Sequence, residues 1–412
     1  MKLRKSGFFE AGAFAGLSFN NRLRGLAGKV LNRRNFLVAG SAALLSACTV
    51  VPKTETISTG PVTPTPQPTA TSMPGDTERH RIALLVPLAG NTAEVGQALS
   101  NATTMALLDT NANNLRITTY DTSSGAGAAA RQAIVDGNKL ILGPLRSENV
   151  PAVQAAARAS GVPTVAFTND ADVAGSDVFI MGLTPDQSIR RSIAYARANG
   201  SNSFAALLPE GVYGDRSYAA LTYGIQDYGG SLIAFERYSR GNTSIVGAAQ
   251  RLRQNGGYDT VLIADSPRLA VQAAGQIRSD GAEGTRLIGT ELWSGESGLT
   301  RTDAVRGALF SAVSDRRFGR FSESYEARFG NRPFRIATLG YDAVLLTLRI
   351  AREWQVGDDF PTDRLYSQDG FLGVDGAFRF GRNGIAQRAL EVREVRSGEV
   401  TTVDAAPSGF DD

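Results

Sequence analysis

Cysteine and histidine are nearly absent: the 412 residues contain one of each, Cys48 and His80. A lone cysteine excludes an internal disulfide, and with a lone histidine it excludes the usual Cys/His zinc sets. Any Ser-His-Asp chemistry would have to rest on His80. Long apolar runs are also missing. The stretch Leu37 to Leu45 falls far below the roughly 20 residues needed to span a bilayer as a helix. Basic charge is scarce where a nucleic acid would need it. The net charge is +3, but residues 1–47 contribute +7, which leaves −4 on the rest and removes the case for a polyanionic partner. Gly125 to Gly127 lack the Lys and Ser/Thr of a phosphate loop, and no GxGxxG follows a strand, so neither nucleotide nor other cofactor is expected.

What the first 79 residues do contain is an export pattern. Arg33 and Arg34 precede the short apolar run, which closes with Leu45, Ser46, Ala47 and Cys48. That ending resembles the bacterial lipobox, in which small residues admit the chain to a signal peptidase and the cysteine thiol takes the lipid. The resemblance implies a signal peptide over 1–47 and Cys48 as lipidated mature N-terminus. Arg33-Arg34 with Phe36-Leu37 also resembles a twin-arginine signal, and the general secretory route stays equally open. The long basic lead places the expected start nearer Leu31. No Asp follows Cys48, which implies an outer-membrane anchor facing the periplasm. Residues 48–79 carry Pro52, Pro61, Pro64, Pro66, Pro68 and Pro74 among Thr and Ser, and read as a disordered tether.

From Arg81 onward strand and helix signals alternate. Ile82 to Val86 is a continuous apolar strand, Gln97 to Asp109 a helix, and Leu115 to Tyr120, Leu140 to Leu142 and Thr164 to Phe167 further strands. A second series runs from Phe204 to Leu208 through strands at Leu232, Thr260 and Arg286. Repeated βα units of this size predict parallel sheets covered on both faces, and their number predicts two Rossmann-like lobes.

These elements carry residues that resemble the type 1 periplasmic-binding proteins: Ile82 to Leu88 with Gly90, Gly96 and Asn101; Ile141-Leu142-Gly143-Pro144 with Ser147; Val162 to Asp170; Pro209 with Tyr213-Gly214; Gly289 to Trp293; Tyr341-Asp342-Ala343; and Gly373 to Gly376 with Phe378 and Phe380. Within that superfamily, the lipid anchor, Ala166 to Asp170 and Gly289 to Trp293 are most similar to the penicillin-binding protein activators. The resemblance implies one two-lobed domain over 80–403 with three hinge crossovers. Lobe one is expected at 80–185 plus 315–355, lobe two at 186–314 plus 356–403, and a disordered tail at 404–412.

The resemblance also implies an interlobe cleft at the carboxyl ends of the strands. Amino-acid binders of this fold hold the ligand carboxylate with hydroxyls, for which Ser147 and Thr168 are the candidates; Ser147 equally reads as a cap of the helix near Asn149. For the ligand ammonium the candidates are Asp265, Glu291, Trp293 and Tyr213, with packed aromatics and polar loop residues as the plain alternative. Phe167 stands where many amino-acid binders carry a small residue, which implies a filled cleft. Arg316, Arg317 and Arg320 are the densest basic cluster, solvated or facing an acidic partner. The resemblance implies a non-catalytic regulator that touches a penicillin-binding peptidoglycan synthase, with an amino acid or peptidoglycan fragment as cleft occupant. The alternative is a receptor delivering an amino acid to an ABC transporter.

Overall fold

In the computed structural model, residues 77–241, 243–279, 284–407 and 409–410 are described. The expected signal peptide, Cys48 and almost all of the tether lie outside them. Among the described residues no helix is long and apolar enough to cross a membrane.

The chain begins as a parallel βα array: β1 (His80–Val86), α1 (Ala93–Asp109), β2 (Leu115–Asp121), α2 (Ala126–Val135), β3 (Leu140–Leu142), α3 (Val150–Ala157), β4 (Thr164–Ala166) and β5 (Val178–Ile180). These strands form one sheet in the order β2-β1-β3-β4-β5, all neighbours parallel. β1 sits inside it and is buried on both faces, which is why Ile82 to Val86 is apolar without alternation. Lobe two follows with α4 (Pro185–Ala198), β6 (Ser203–Pro209), α5 (Val212–Tyr228), β7 (Ser231–Tyr238), α6 (Ser244–Asn255), β8 (Thr260–Ile263), α7 (Pro267–Ile277), β9 (Arg286–Ile288) and β10 (Leu309–Ala312).

The two lobes repeat one local device. Helix α1 starts so close to the end of β1 that a Cβ on Gly96 would lie 1.8 Å from the Pro87 carbonyl oxygen, and α5 so close to β6 that a Cβ on Gly214 would lie 1.7 Å from that of Pro209. Only glycine admits this approach, and it brings each helix N-terminus to the strand ends that face the cleft.

The chain then returns to lobe one as α8 (Phe318–Phe329), α9 (Thr338–Ile350) and the antiparallel strands β11 (Phe371–Gly373), β12 (Gly376–Phe380) and β13 (Ala386–Arg388). It crosses a last time to β14 (Glu391–Val395) and β15 (Val400–Asp404), which complete a second sheet in the order β15-β14-β10-β9-β8-β6-β7. The second sheet is parallel through β10-β9-β8-β6-β7, as expected, and carries β14 and β15 as an antiparallel edge.

Two boundaries need correction. The third crossover lies between Arg388 and Glu391, not near residue 356. Phe360, Leu365, Phe371, Phe378, Phe380 and Ala386 bury in the same core as Ile82, Leu84 and Val86, so residues 356–388 belong to lobe one. The stretch 404–412 was expected to be disordered, yet Asp404 ends β15 and ion-pairs with Arg191 at 2.7 Å, and the Phe410 carbonyl accepts from Arg379 Nη1 at 3.2 Å.

Candidate functional site: the interlobe cleft

A cavity of about 380 Å³ lies between the lobes. Lobe one supplies Leu145 after β3, Phe167, Thr168 and Asn169 after β4, and Ile336, Thr338 and Leu339 at the start of α9; lobe two supplies Glu291, Leu292 and Ser294 after β9; the crossovers add Gly182, Leu183 and Val313. The walls are mostly apolar. Phe167 is fully buried and shares the lobe-one core, so its ring forms a wall where a smaller residue would leave room.

Of the six candidates, only Thr168 and Glu291 line this cavity. Thr168 is buried, and its Oγ1 accepts the Asp170 N–H at 3.0 Å, which turns it into the loop after β4. Glu291 opens the 3₁₀ turn Glu291–Trp293, and Thr290 caps that turn by accepting the Leu292 N–H. Tyr213 Oη lies 2.9 Å from Glu291 Oε1 and 3.0 Å from Thr290 Oγ1. With one proton to give, the phenol donates to the carboxylate and accepts from the threonine. Glu291 Oε2 is buried without a partner. Burial pushes this carboxyl up to about 7, against the backbone N–H and the Tyr213 hydroxyl that favour its charged form. The Tyr213 hydroxyl is pushed up too, by burial first and by the Glu291 charge second.

The other lobe-two candidates belong to the same network but point away from the cavity. Asp265, after β8, accepts from Tyr238 Oη at 2.6 Å and Arg240 Nε at 2.8 Å on one oxygen, and from the Ser266 N–H at 2.6 Å on the other. Both oxygens are therefore engaged within lobe two. Trp293 is fully buried in the lobe-two core beside Phe310, ring centroids 5.9 Å apart, and its Nε1 donates to the Asp265 carbonyl at 2.8 Å. The Arg240 guanidinium sits 5.1 Å from the Tyr213 ring centroid. Ser147 lies half-buried in the 3₁₀ turn Ser147–Asn149 and does not reach the cavity, whose nearest contribution from that loop is Leu145.

A charged chain that reaches the cavity wall, where Arg335 and Asp375 stand among the lining residues, was not visible in the sequence. Asp375 accepts from Arg335 Nη1 at 2.5 Å and from the Thr338 hydroxyl at 2.9 Å. Arg335 lies 3.3 Å from Asp315 on the second crossover, and Asp315 pairs in turn with Arg393 of β14, which holds Glu391 at 2.7 Å. The Arg335 guanidinium also stacks 4.4 Å from the Phe318 centroid. The chain thus runs from lobe one through a crossover into lobe two. Beneath it, Asp342 accepts the N–H groups of Val374 at 2.6 Å and Asp375 at 3.2 Å, so two motifs far apart in sequence meet here. Burial, and then the charge of Asp375, pushes Asp342 up to about 7. The only sequence signal was the pair of motifs itself, with nothing local to show their contact.

His80 starts β1, at the end of the sheet away from the cleft, and stacks on Trp354 with centroids 4.0 Å apart. Arg317 of the basic cluster donates from Nη1 to the Gly373 carbonyl at 2.7 Å. Among the described residues no group of three or more His, Cys, Asp or Glu is placed to hold a metal.

Two lobes, three crossovers and a cleft at the strand ends define a bilobed binding protein. Residues 80–399 match the family model described as periplasmic binding protein, and the chain belongs to that family. It is 24% identical over 343 residues to the uncharacterized protein RP748 of Rickettsia prowazekii, covering 78% of this chain and 88% of that one. Over 140 residues it is 26% identical to the penicillin-binding protein activator LpoA of Photobacterium profundum, covering 33% of this chain and 23% of LpoA. A leucine binding protein, LivK, of Thermotoga maritima superposes with a TM-score of 0.60 at 19% identity, over 79% of this chain and 98% of LivK. The family and its structural neighbours are binding proteins rather than enzymes, and the family places the domain outside the cytoplasm.

Proposed function

We propose that this chain is a non-catalytic lipoprotein, anchored through Cys48 in the outer membrane, that regulates peptidoglycan synthesis by touching a penicillin-binding synthase. The observation that carries the reading is the state of the cleft. Ser147 stays outside the cavity, Asp265 spends both oxygens on lobe-two partners, Trp293 is core, and Phe167 takes up space. An amino acid needs converging partners for both its charged ends, because a buried charge left unpaired costs more than the apolar contacts return. With the expected set dispersed, and with Arg335 and Asp375 of the cavity wall already paired to each other, protein contact rather than solute capture is the better use of the fold, and the likeness to LpoA points to the synthase as partner. The test is immobilised full-length protein against class A penicillin-binding proteins from its own host, with glycan polymerisation followed in parallel. Absence of both binding and stimulation at tens of micromolar would sink the proposal.

One observation favours a second reading, that of a solute receptor for an ABC transporter: Glu291 and Arg335, of opposite charge, both line the cavity, and Glu291 Oε2 and Arg335 Nη2 are buried without a hydrogen-bond partner. A micromolar ligand at about a thousandfold excess adds roughly 4 kcal/mol to stability. A thermal-shift screen with amino acids, small peptides and muropeptides at millimolar concentration separates the readings, since only a receptor gives a rise of several degrees.

A further inference from the structure

We infer that the two lobes are latched together by an ion-pair fork belonging to the protein itself, so that the closed arrangement needs no ligand. The fork is Arg216 with Asp170 and Asp172. Arg216 stands in the N-terminal part of α5, in lobe two; the two acids stand on the loop that follows β4, in lobe one. Arg216 Nη2 donates to Asp170 Oδ1 and, at 2.8 Å, to Asp172 Oδ2.

The acidic half is braced in advance. Asp170 Oδ1 accepts the Asp172 N–H at 3.0 Å, and the Asp170 N–H donates to Thr168 Oγ1 at 3.0 Å. The loop therefore presents its carboxylates without further ordering, which removes most of the entropy that weakens exposed ion pairs. Arg216 and Asp170 keep only 17% and 18% of their side-chain surface exposed, whereas Asp172 keeps 81%. The inner pair is thus largely shielded from water, while the outer acid is open to screening by salt and is an auxiliary. Arg216 Nε is buried without a partner, so the guanidinium is held between the lobes by its terminal nitrogen alone.

Neither half of the fork lies on a crossover. The Gln187 contacts with the Ala386 carbonyl and the Arg388 N–H sit at the first and third crossovers and ride through a hinge motion. The fork joins the bodies of the lobes, so rotation that parts α5 from the loop after β4 must break it. A solute receptor uses its ligand to hold the lobes together; here an arginine does that. This inference goes beyond the regulatory reading and stands apart from it: a protein that binds its synthase but opens freely sinks the latch alone.

The experiment is an interlobe distance measurement on the full chain by pulsed electron resonance. Cys48→Ser removes the native thiol, and labels go on Asn91→Cys, exposed after β1, and Glu210→Cys, exposed after β6. The expected parent distribution is single and narrow without any ligand. Arg216→Ala should add a longer, broader component, raising the open population on the order of tenfold, the scale of one charge-assisted hydrogen bond. Asp170→Asn, a milder change, should move the distribution the same way. Arg158→Ala breaks an ion pair with Asp177 inside lobe one and should leave it unchanged. Raising salt from 0.1 to 1 M, which shortens screening from about 10 to 3 Å, should act in the direction of Arg216→Ala but less. Superimposable distributions for parent and Arg216→Ala, or a parent that already samples mainly the long distance, overturn the inference.

Discussion

Replacing Glu291 by glutamine should change how the protein's stability depends on pH. Burial disfavours its charge and pushes the carboxyl from the usual 4.5 up to about 7. Its folded-state affinity for protons is raised, so between these two values the native state holds a proton that the unfolded chain has released. Stability must then fall as pH rises through this window and level off above it. At about 1.4 kcal/mol per pH unit the full loss is about 3 kcal/mol at pH 8, and less than about 1 kcal/mol of it is already present at pH 5. Glutamine cannot ionise and still accepts from Tyr213, so its advantage over the parent should grow by about 2.5 kcal/mol from pH 5 to pH 8. With an unfolding entropy of about 2 cal/mol/K per residue over the folded part, that is a relative rise in Tm of about 3 to 4 °C. Any fixed cost of placing an amide beside the cavity cancels in the comparison. Differential scanning fluorimetry of both proteins at the two pH values is sufficient. A mutant-to-parent offset that is the same at pH 5 and pH 8 refutes the argument, because it would mean that Glu291 titrates normally and is not desolvated.

His80 works in the opposite sense: burial against Trp354 lowers its pKa, so stability should be lost as pH falls below about 6.5, and His80→Phe should flatten the acid side of the Tm profile. Any activity should be unaffected by His80→Ala, since the ring lies away from the cleft; a loss above about tenfold in synthase stimulation would overturn that placement. Trp293→Ala removes the largest fully buried side chain, and with it the donor to the Asp265 carbonyl. A cost of about 3 to 5 kcal/mol is expected, read as a lower denaturant midpoint. Asp265→Asn should weaken the Arg240 pair without altering the response to any cleft ligand, because Asp265 does not line the cavity; altered ligand affinity would contradict that.

The parallel architecture was legible because it is written in local pattern. β1, β3 and β8 are buried along their length, so their residues are apolar without alternation, and the helices between them carry the 3.6-residue period. The antiparallel strands β12 to β14 are not legible in the same way, because Arg379, Arg388 and Arg393 interrupt them and leave no continuous apolar run. The third crossover was misplaced on that account: what assigns residues 356–388 to lobe one is the burial of Phe360, Phe371 and Phe378 in a core whose other members lie up to about 290 residues earlier.

Side-chain chemistry divided along the same line. The family resemblance put Thr168 and Glu291 forward among six candidates, and these two line the cavity. It could not show that Asp265 pairs with Arg240 and Tyr238, that Trp293 packs inward on Phe310, or that Arg216 reaches Asp170 across the cleft. Each of those outcomes depends on a partner brought close only by the folded chain. A carboxylate facing an open cleft and one already satisfied by an arginine have the same one-letter code, and the difference between them is a distance that exists only in three dimensions.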